Sequence, residues 1–261
     1  MKNSYFKQTI LIAFGALLLL SCKEKKTSSG TSDTESEPVV VATSSWTAAY
    51  AEAAGAKNII ILAPFEMEHP SEYELRPSDI PKLMNAKVII YAGYEVMAER
   101  LKKGLDIPEE KLLLVSTDYL YETIEKSVLN IASKLGTENI ARKNLADIRK
   151  VFDEGRIAVE EKSMSGQPVI VHRFQASLVK ELGLVPVITF GPSAPEATEI
   201  ANVSKTQASL ITDNIHNPVG QPLKEVLPNA RYEQLLNFPG LKGTKSLTDV
   251  IRYNVSLIVK N

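Results

Sequence analysis

The chain has 261 residues, enough for one large domain or for two lobes of about 100–150 residues each. At 44% hydrophobic and 23% charged, its composition is globular rather than disordered. A formal net charge of -1, with no basic run interleaved with aromatic residues, gives no footing for a nucleic-acid partner.

The first 22 residues read as a targeting segment. Lys2 and Lys7 make a positive start, and Ile10 to Leu20 is an uncharged apolar run. That run is too short for a membrane-spanning helix, which needs about 20 apolar residues. It ends in Leu19-Leu20-Ser21-Cys22, which resembles the bacterial lipobox, so 1–22 is expected to be a lipoprotein signal peptide with lipidation at Cys22. Cys22 is also the only cysteine, which excludes disulfides, cysteine zinc sites and cysteine nucleophiles in the rest of the chain. Residues 23–37, KEKKTSSGTSDTESE, carry no large apolar side chain and read as a flexible tether. The expectation is an extracytoplasmic body held to the bacterial membrane by a lipid.

An N-terminal lobe is expected over 38–136. Pro38–Thr43 is a short β-branched run, read as a buried strand, and Thr47–Gly55 follows as a helix. Asn58–Leu62 is a second strand. The loop after it holds Glu66, Glu68, His69 and Glu72, a possible nitrogen and oxygen ligand cluster or simply an acidic surface loop. A helix begins at Pro77-Ser78-Asp79, with Ile80, Leu83 and Met84 on one face. Lys87–Tyr91 is a third strand ending in Gly93-Tyr94-Glu95, Val96–Leu105 a helix, and Lys111–Val115 a fourth strand ending in Ser116-Thr117-Asp118. Tyr121 onward is helical in period with a break at Gly136, and Thr137–Lys162 reads as one long helix, a stiff connector over 137–164.

The α/β alternation restarts in a C-terminal lobe over 165–261. Pro168–Val171 is a strand with His172 at its end, Phe174–Leu182 a helix closed by Gly183, and Val185–Phe190 a strand. A helix over Glu196 to Lys205 precedes the strand Ala208–Thr212, which ends in Asp213-Asn214-Ile215-His216. Pro218–Leu227 is read as helical, Arg231–Leu236 as a strand and Thr248–Lys260 as an amphipathic closing helix. The fold class is therefore α/β, with two (β/α) lobes of parallel sheet joined by one long rigid helix. Ligands of such sheets bind outside the carboxyl ends of the strands. All three histidines of the chain, His69, His172 and His216, follow predicted strands, and neutral imidazole with carboxylates suits divalent transition metals. Glu68, Asp118 and Asp213 are the candidate carboxylates; for Asp213, capping a turn or binding a neighbouring amide is the competing role.

Several blocks of the mature chain resemble the zinc/manganese-type solute-binding proteins of bacterial ABC transporters. The start VVVATSSW looks like that family's first strand and turn. HPSEYELRPSDIPKLMNAKVIIYAGYE is similar to its block Asp-Pro-His-Glu-Tyr-Glu-x-x-Pro-Ser-Asp with the strand that follows. VIVHRFQASLVKELGL resembles its C-lobe strand ending in a metal ligand, and DVIRYNVSLIV its final helix. The resemblance implies a cleft between the lobes and a divalent metal, zinc or manganese, carried as cargo. It also implies an ABC permease as partner, a monomer, and binding without enzymatic turnover.

The departures fall on the ligands. The family's first histidine corresponds to Ser71, and His69 stands two residues earlier. Its second histidine, before the long helix, has no counterpart. His172 matches the third ligand, and the fourth, an Asp, falls on Asn237 or Phe238. Either the site is rebuilt from His69, His172 and His216, or the same fold takes a metal chelate or a non-metal ligand, or the cleft is vestigial in an adhesin-like lipoprotein.

Overall fold

A computed structural model of the chain describes residues 38–260, all within one compact unit. The expected signal peptide, the lipidation site at Cys22 and the tether over 23–37 lie outside the described residues. Among the described residues, no helix is long and apolar enough to cross a membrane.

Two four-stranded, all-parallel sheets organise the molecule. The first holds β1 (Val40–Ala42), β2 (Ile59–Ile61), β3 (Val88–Tyr91) and β4 (Leu112–Leu114) in the order β2-β1-β3-β4. The second holds β5 (Pro168–His172), β6 (Val185–Phe190), β7 (Leu210–Asn214) and β8 (Arg231–Leu235) in the order β6-β5-β7-β8. The expected fold class is thus the observed one. Every residue of β1, β3 and β7 is buried, as central strands covered on both faces must be; β1 and β3 accordingly read as apolar, Val/Ile-rich runs, while β7 ends in the buried polar residues Thr212, Asp213 and Asn214. Both sheets share one winding order, so each has a switch point beside its first strand, β1/β3 in one lobe and β5/β7 in the other. That is where open α/β sheets form ligand crevices.

The helices are α1 (Ser45–Ala53), α2 (Ile80–Asn85), α3 (Tyr121–Leu135), α4 (Glu138–Glu161), α5 (Ala176–Glu181), α6 (Ala197–Val203), α7 (Gln221–Val226) and α8 (Leu247–Ile258). α1 starts earlier than its apolar spacing predicts. Ser44 caps it reciprocally with Thr47: the Thr47 amide donates to Ser44 Oγ at 3.4 Å and the Ser44 amide to Thr47 Oγ1 at 3.0 Å. The expected helix over Val96–Leu105 is observed as a shorter helical segment over 98–104, π-helical at Arg100–Gly104. Met97, Ala98 and Leu101 are buried there, so the apolar spacing marks the inward face of this segment.

Gly136, left-handed at φ 73°, closes α3, and α4 follows at once. At 24 residues α4 is ~36 Å long, from 1.5 Å of rise per residue. It buries Ala141, Leu145, Ile148, Phe152 and Val159 against α3 and α8. The largest apolar cluster runs through these helices and draws on both sheets, from Val40, Val88 and Ile90 to Val169, Val171 and Leu235. The lobes therefore share a continuous core on their helical side.

Candidate functional site

A cavity of about 720 Å³ lies between the lobes, at the carboxyl ends of the strands of both sheets. From the N-lobe it is lined by Ser44, Trp46, Glu68, His69, Tyr94 and Glu95, among others. From the C-lobe it is lined by Phe174, Asn214, His216, Asn217, Asn237 and Phe238. Among the described residues, the charged wall residues are Glu68, Glu72 and Glu95, and neither Lys nor Arg lines the cavity.

Two buried carboxylates shape the N-lobe side. Asp79 accepts from Tyr73 Oη at 2.9 Å, from the Arg76 amide at 3.0 Å and from Lys82 Nζ at 2.8 Å. Burial pushes its carboxyl up, but these donors outweigh burial and hold it below the ordinary carboxylate pKa. Glu95 accepts from Thr43 Oγ1 at 2.6 Å and from the amides of Ala92 at 2.8 Å and Gly93 at 2.6 Å. The loop after β3 is thereby wrapped around its own carboxylate and tied to β1. The Val96 amide donates to the Ser71 carbonyl at 2.9 Å, which joins this loop to the histidine loop after β2. His69 is exposed at the mouth of the cavity, just ahead of the 3₁₀ turn Pro70–Glu72.

On the C-lobe side His216 follows β7 and stacks on Phe238 with ring centroids 3.8 Å apart. It is 7% exposed, and among the described residues neither imidazole nitrogen meets a partner in good hydrogen-bond geometry. Burial pushes its pKa down to about 4; the Phe238 main chain opposes this and neighbouring His69 reinforces it. His216 is therefore a neutral base at physiological pH. An aromatic row, Tyr119–Trp46–Phe238–His216, crosses from one lobe to the other at centroid distances of 5.9, 6.2 and 3.8 Å.

The residues expected to bind metal divide. His69, His216 and Glu68 line the cavity. His172 does not: it is fully buried, between Phe174 at 5.0 Å and Phe190 at 5.6 Å, with Nδ1 accepting from the Phe174 amide at 3.3 Å. Its Nε2 faces the backbone of Gly191, where a Cβ would stand 2.3 Å away. Phe174, not His172, reaches the cavity. Burial lowers the His172 pKa to about 4, against the pull of Asp213 and with a push from Arg173.

Asp213 is engaged inside the C-lobe, accepting from the Asn214 amide at 2.7 Å, from the Gly220 amide at 2.7 Å and from Tyr232 Oη. β7 runs through Asp213 and Asn214, two residues beyond the expected strand Ala208–Thr212, at whose end the sequence places them. Asp118 accepts from the Leu120 amide at 2.8 Å and lies off the cavity wall. Among the described residues no three His, Cys, Asp or Glu side chains come together to hold a metal ion, so the expected histidine trio is not assembled.

The amide side chains Asn214, Asn217 and Asn237 are wall residues that sequence reasoning did not single out as ligands. Only Asn237 carried a signal, because it falls where the resembling family has an Asp.

No protein-family model and no curated protein matches the chain in sequence. Solved structures do match. The Mn-bound periplasmic metal binding protein of Candidatus Liberibacter asiaticus superposes with a TM-score of 0.63 at 17% identity, covering 85% of this chain and 98% of its own. The Cd-bound form from the same organism gives the same values, 0.63, 17%, 85% and 98%. The SBP FpvC of P. aeruginosa, in complex with Ni2+, gives a TM-score of 0.68 at 14% identity, with coverages of 85% and 96%. At such identities the likeness establishes the fold, two α/β lobes with a cleft between them, and leaves ligand and role to the residues of the cavity.

Proposed function

We propose that this chain is an extracytoplasmic solute-binding protein. It captures a divalent transition metal, zinc- or manganese-like, between its lobes and passes it to the permease of an ABC importer. A lipid on Cys22 holds the monomeric body at the membrane. The observation that carries the reading is that His69 of one lobe and His216 of the other open on the same cavity, with Glu68 beside them. An imidazole left neutral and unpartnered by burial is ready to coordinate without first losing a proton. The metal-bound structural relatives support the same class of cargo. The protein's role is capture by residues from both lobes, not turnover.

The test is metal-dependent stability. A ligand that binds only the folded form adds RT ln(1 + [L]/Kd), about 2.7 kcal/mol at a hundredfold excess over Kd. Stripped protein should melt higher with Zn2+, Mn2+ or Ni2+, supplied free or as complexes, and His216→Ala should lose most of the gain. If no metal in either form raises the melting temperature, the reading fails.

A further inference from the structure

Seven buried side-chain polar atoms among the described residues lack a hydrogen-bond partner, and four of them belong to residues of the interlobe cavity: Trp46 Nε1, His216 Nδ1 and Nε2, and Asn237 Oδ1. An unpaired buried polar atom costs about 1–3 kcal/mol, so such a concentration in one cavity marks where a ligand completes the structure.

The chemistry of these atoms is mixed. One nitrogen of the neutral imidazole can donate a lone pair to a metal, and the other carries the proton and needs an acceptor. The Trp46 indole N–H can only donate a hydrogen bond and needs an acceptor. A bare cation has none to offer, and a water bound to a cation is a weakened acceptor, because one of its two lone pairs is committed to the metal. The Asn237 oxygen, conversely, needs a donor. The space disagrees with a bare ion as well. Six waters at ~30 Å³ each make a hydrated ion of roughly 180 Å³, a quarter of the cavity of about 720 Å³. A cavity of that size belongs to the range of small organic ligands, about 300–1,000 Å³. Its walls are aromatic and amide-bearing, from Trp46, Phe174 and Phe238 to Asn214 and Asn217. Its charged groups are carboxylates only, which disfavours an anionic occupant.

We infer that the cargo is a metal already held by a small organic chelator, the complex being neutral or cationic overall. His216 and His69 fill coordination positions that the chelator leaves open. Trp46 Nε1 donates to an acceptor atom of the chelator, and Asn237 Oδ1 accepts from a donor on it. This also accounts for the missing trio: a chelator that brings its own donors removes the need for three protein ligands. The inference rests on the metal-binding reading and specifies its substrate.

The test compares Ni2+ alone, the neutral Ni2+–iminodiacetate complex and the anionic Ni2+–nitrilotriacetate complex by titration calorimetry on the mature protein. The two complexes leave three and two coordination positions open. The neutral complex should bind about tenfold or more tighter than free Ni2+ and about tenfold or more tighter than the anionic one. Trp46→Phe, which keeps a ring and deletes the N–H, should weaken the neutral complex severalfold more than it weakens free Ni2+, while His216→Ala should weaken both. Free Ni2+ binding as tightly as the neutral complex, or Trp46→Phe weakening both alike, overturns this inference and leaves metal capture standing. Equal binding of the neutral and anionic complexes overturns the charge assignment. If no Ni2+ species binds, the metal reading falls and this inference with it.

Discussion

His172 and His216 are the residues through which stability should depend on pH. Both are buried, with pKa values lowered to about 4 from the ordinary 6.5. Between those values the unfolded chain takes up protons that the folded chain refuses. Stability from these residues is therefore full above pH 6.5 and is lost as pH falls from 6.5 toward 4. The shift corresponds to at most roughly 3 kcal/mol per histidine. Urea unfolding at pH 7.5 and 4.5 should register the drop, and His216→Ala should remove about half of it; an undiminished drop would assign it to other groups. Gly191 belongs with His172. At φ 76° and with the imidazole 2.3 Å from a would-be Cβ, Gly191→Ala should cost about 2 kcal/mol or more in the same assay, through backbone strain and displacement of the ring. The sequence places His172 at a strand end, but not the direction of its side chain. That direction follows from strand register and from two neighbours, Phe174 and Gly191, whose roles are visible only in three dimensions.

At the scale of elements, the strands were legible because burial on both faces favours continuous apolar, mostly β-branched runs, which β1, β3 and β5 have; β7 shows only Leu210-Ile211-Thr212 before its buried Asp213 and Asn214. The loops that make the cavity were less legible, because their shape depends on polar atoms meeting across long stretches of chain. Glu95 is the clearest case. It is 4% exposed, and its carboxylate organises the loop after β3 by accepting from Thr43, Ala92 and Gly93. Nothing in Gly93-Tyr94-Glu95 announces that Thr43, 52 residues away, completes the arrangement. Glu95→Gln keeps the shape but turns one acceptor into an NH₂ group that would face a donor. Thermal and urea unfolding should show a loss of about 1–3 kcal/mol. Because Tyr94 and Glu95 both line the cavity, metal affinity should fall as well. A variant as stable as the parent would mean that the loop is held from elsewhere.

The whole molecule is joined in two ways. Along α3, α4 and α8 the lobes share one apolar cluster, continuous and therefore stiff. At the cavity they meet through the short C-lobe segment Asn237–Gly240. Ser45 Oγ donates to the Pro239 carbonyl at 2.7 Å, and Tyr119 Oη donates to the Asn237 carbonyl at 3.1 Å. Gly240, at φ 135°, comes so close to the N-lobe that a Cβ would lie 2.5 Å from the Phe65 carbonyl. Since Asn237 and Phe238 form part of the cavity wall, this segment is both a latch between lobes and a part of the binding surface. If the two hydrogen bonds act as one latch, Ser45→Ala and Tyr119→Phe should each cost about 1 kcal/mol in urea unfolding. The double variant should then cost clearly less than their sum, because breaking either bond already frees the segment. Each single variant should also weaken cargo binding without deleting a cavity-facing donor of its own, because Asn237, Phe238 and the stacked His216 would no longer be held in place. Additive costs together with unchanged affinity would mean that the two bonds are independent ties, and that the shared helical core alone sets how the lobes meet.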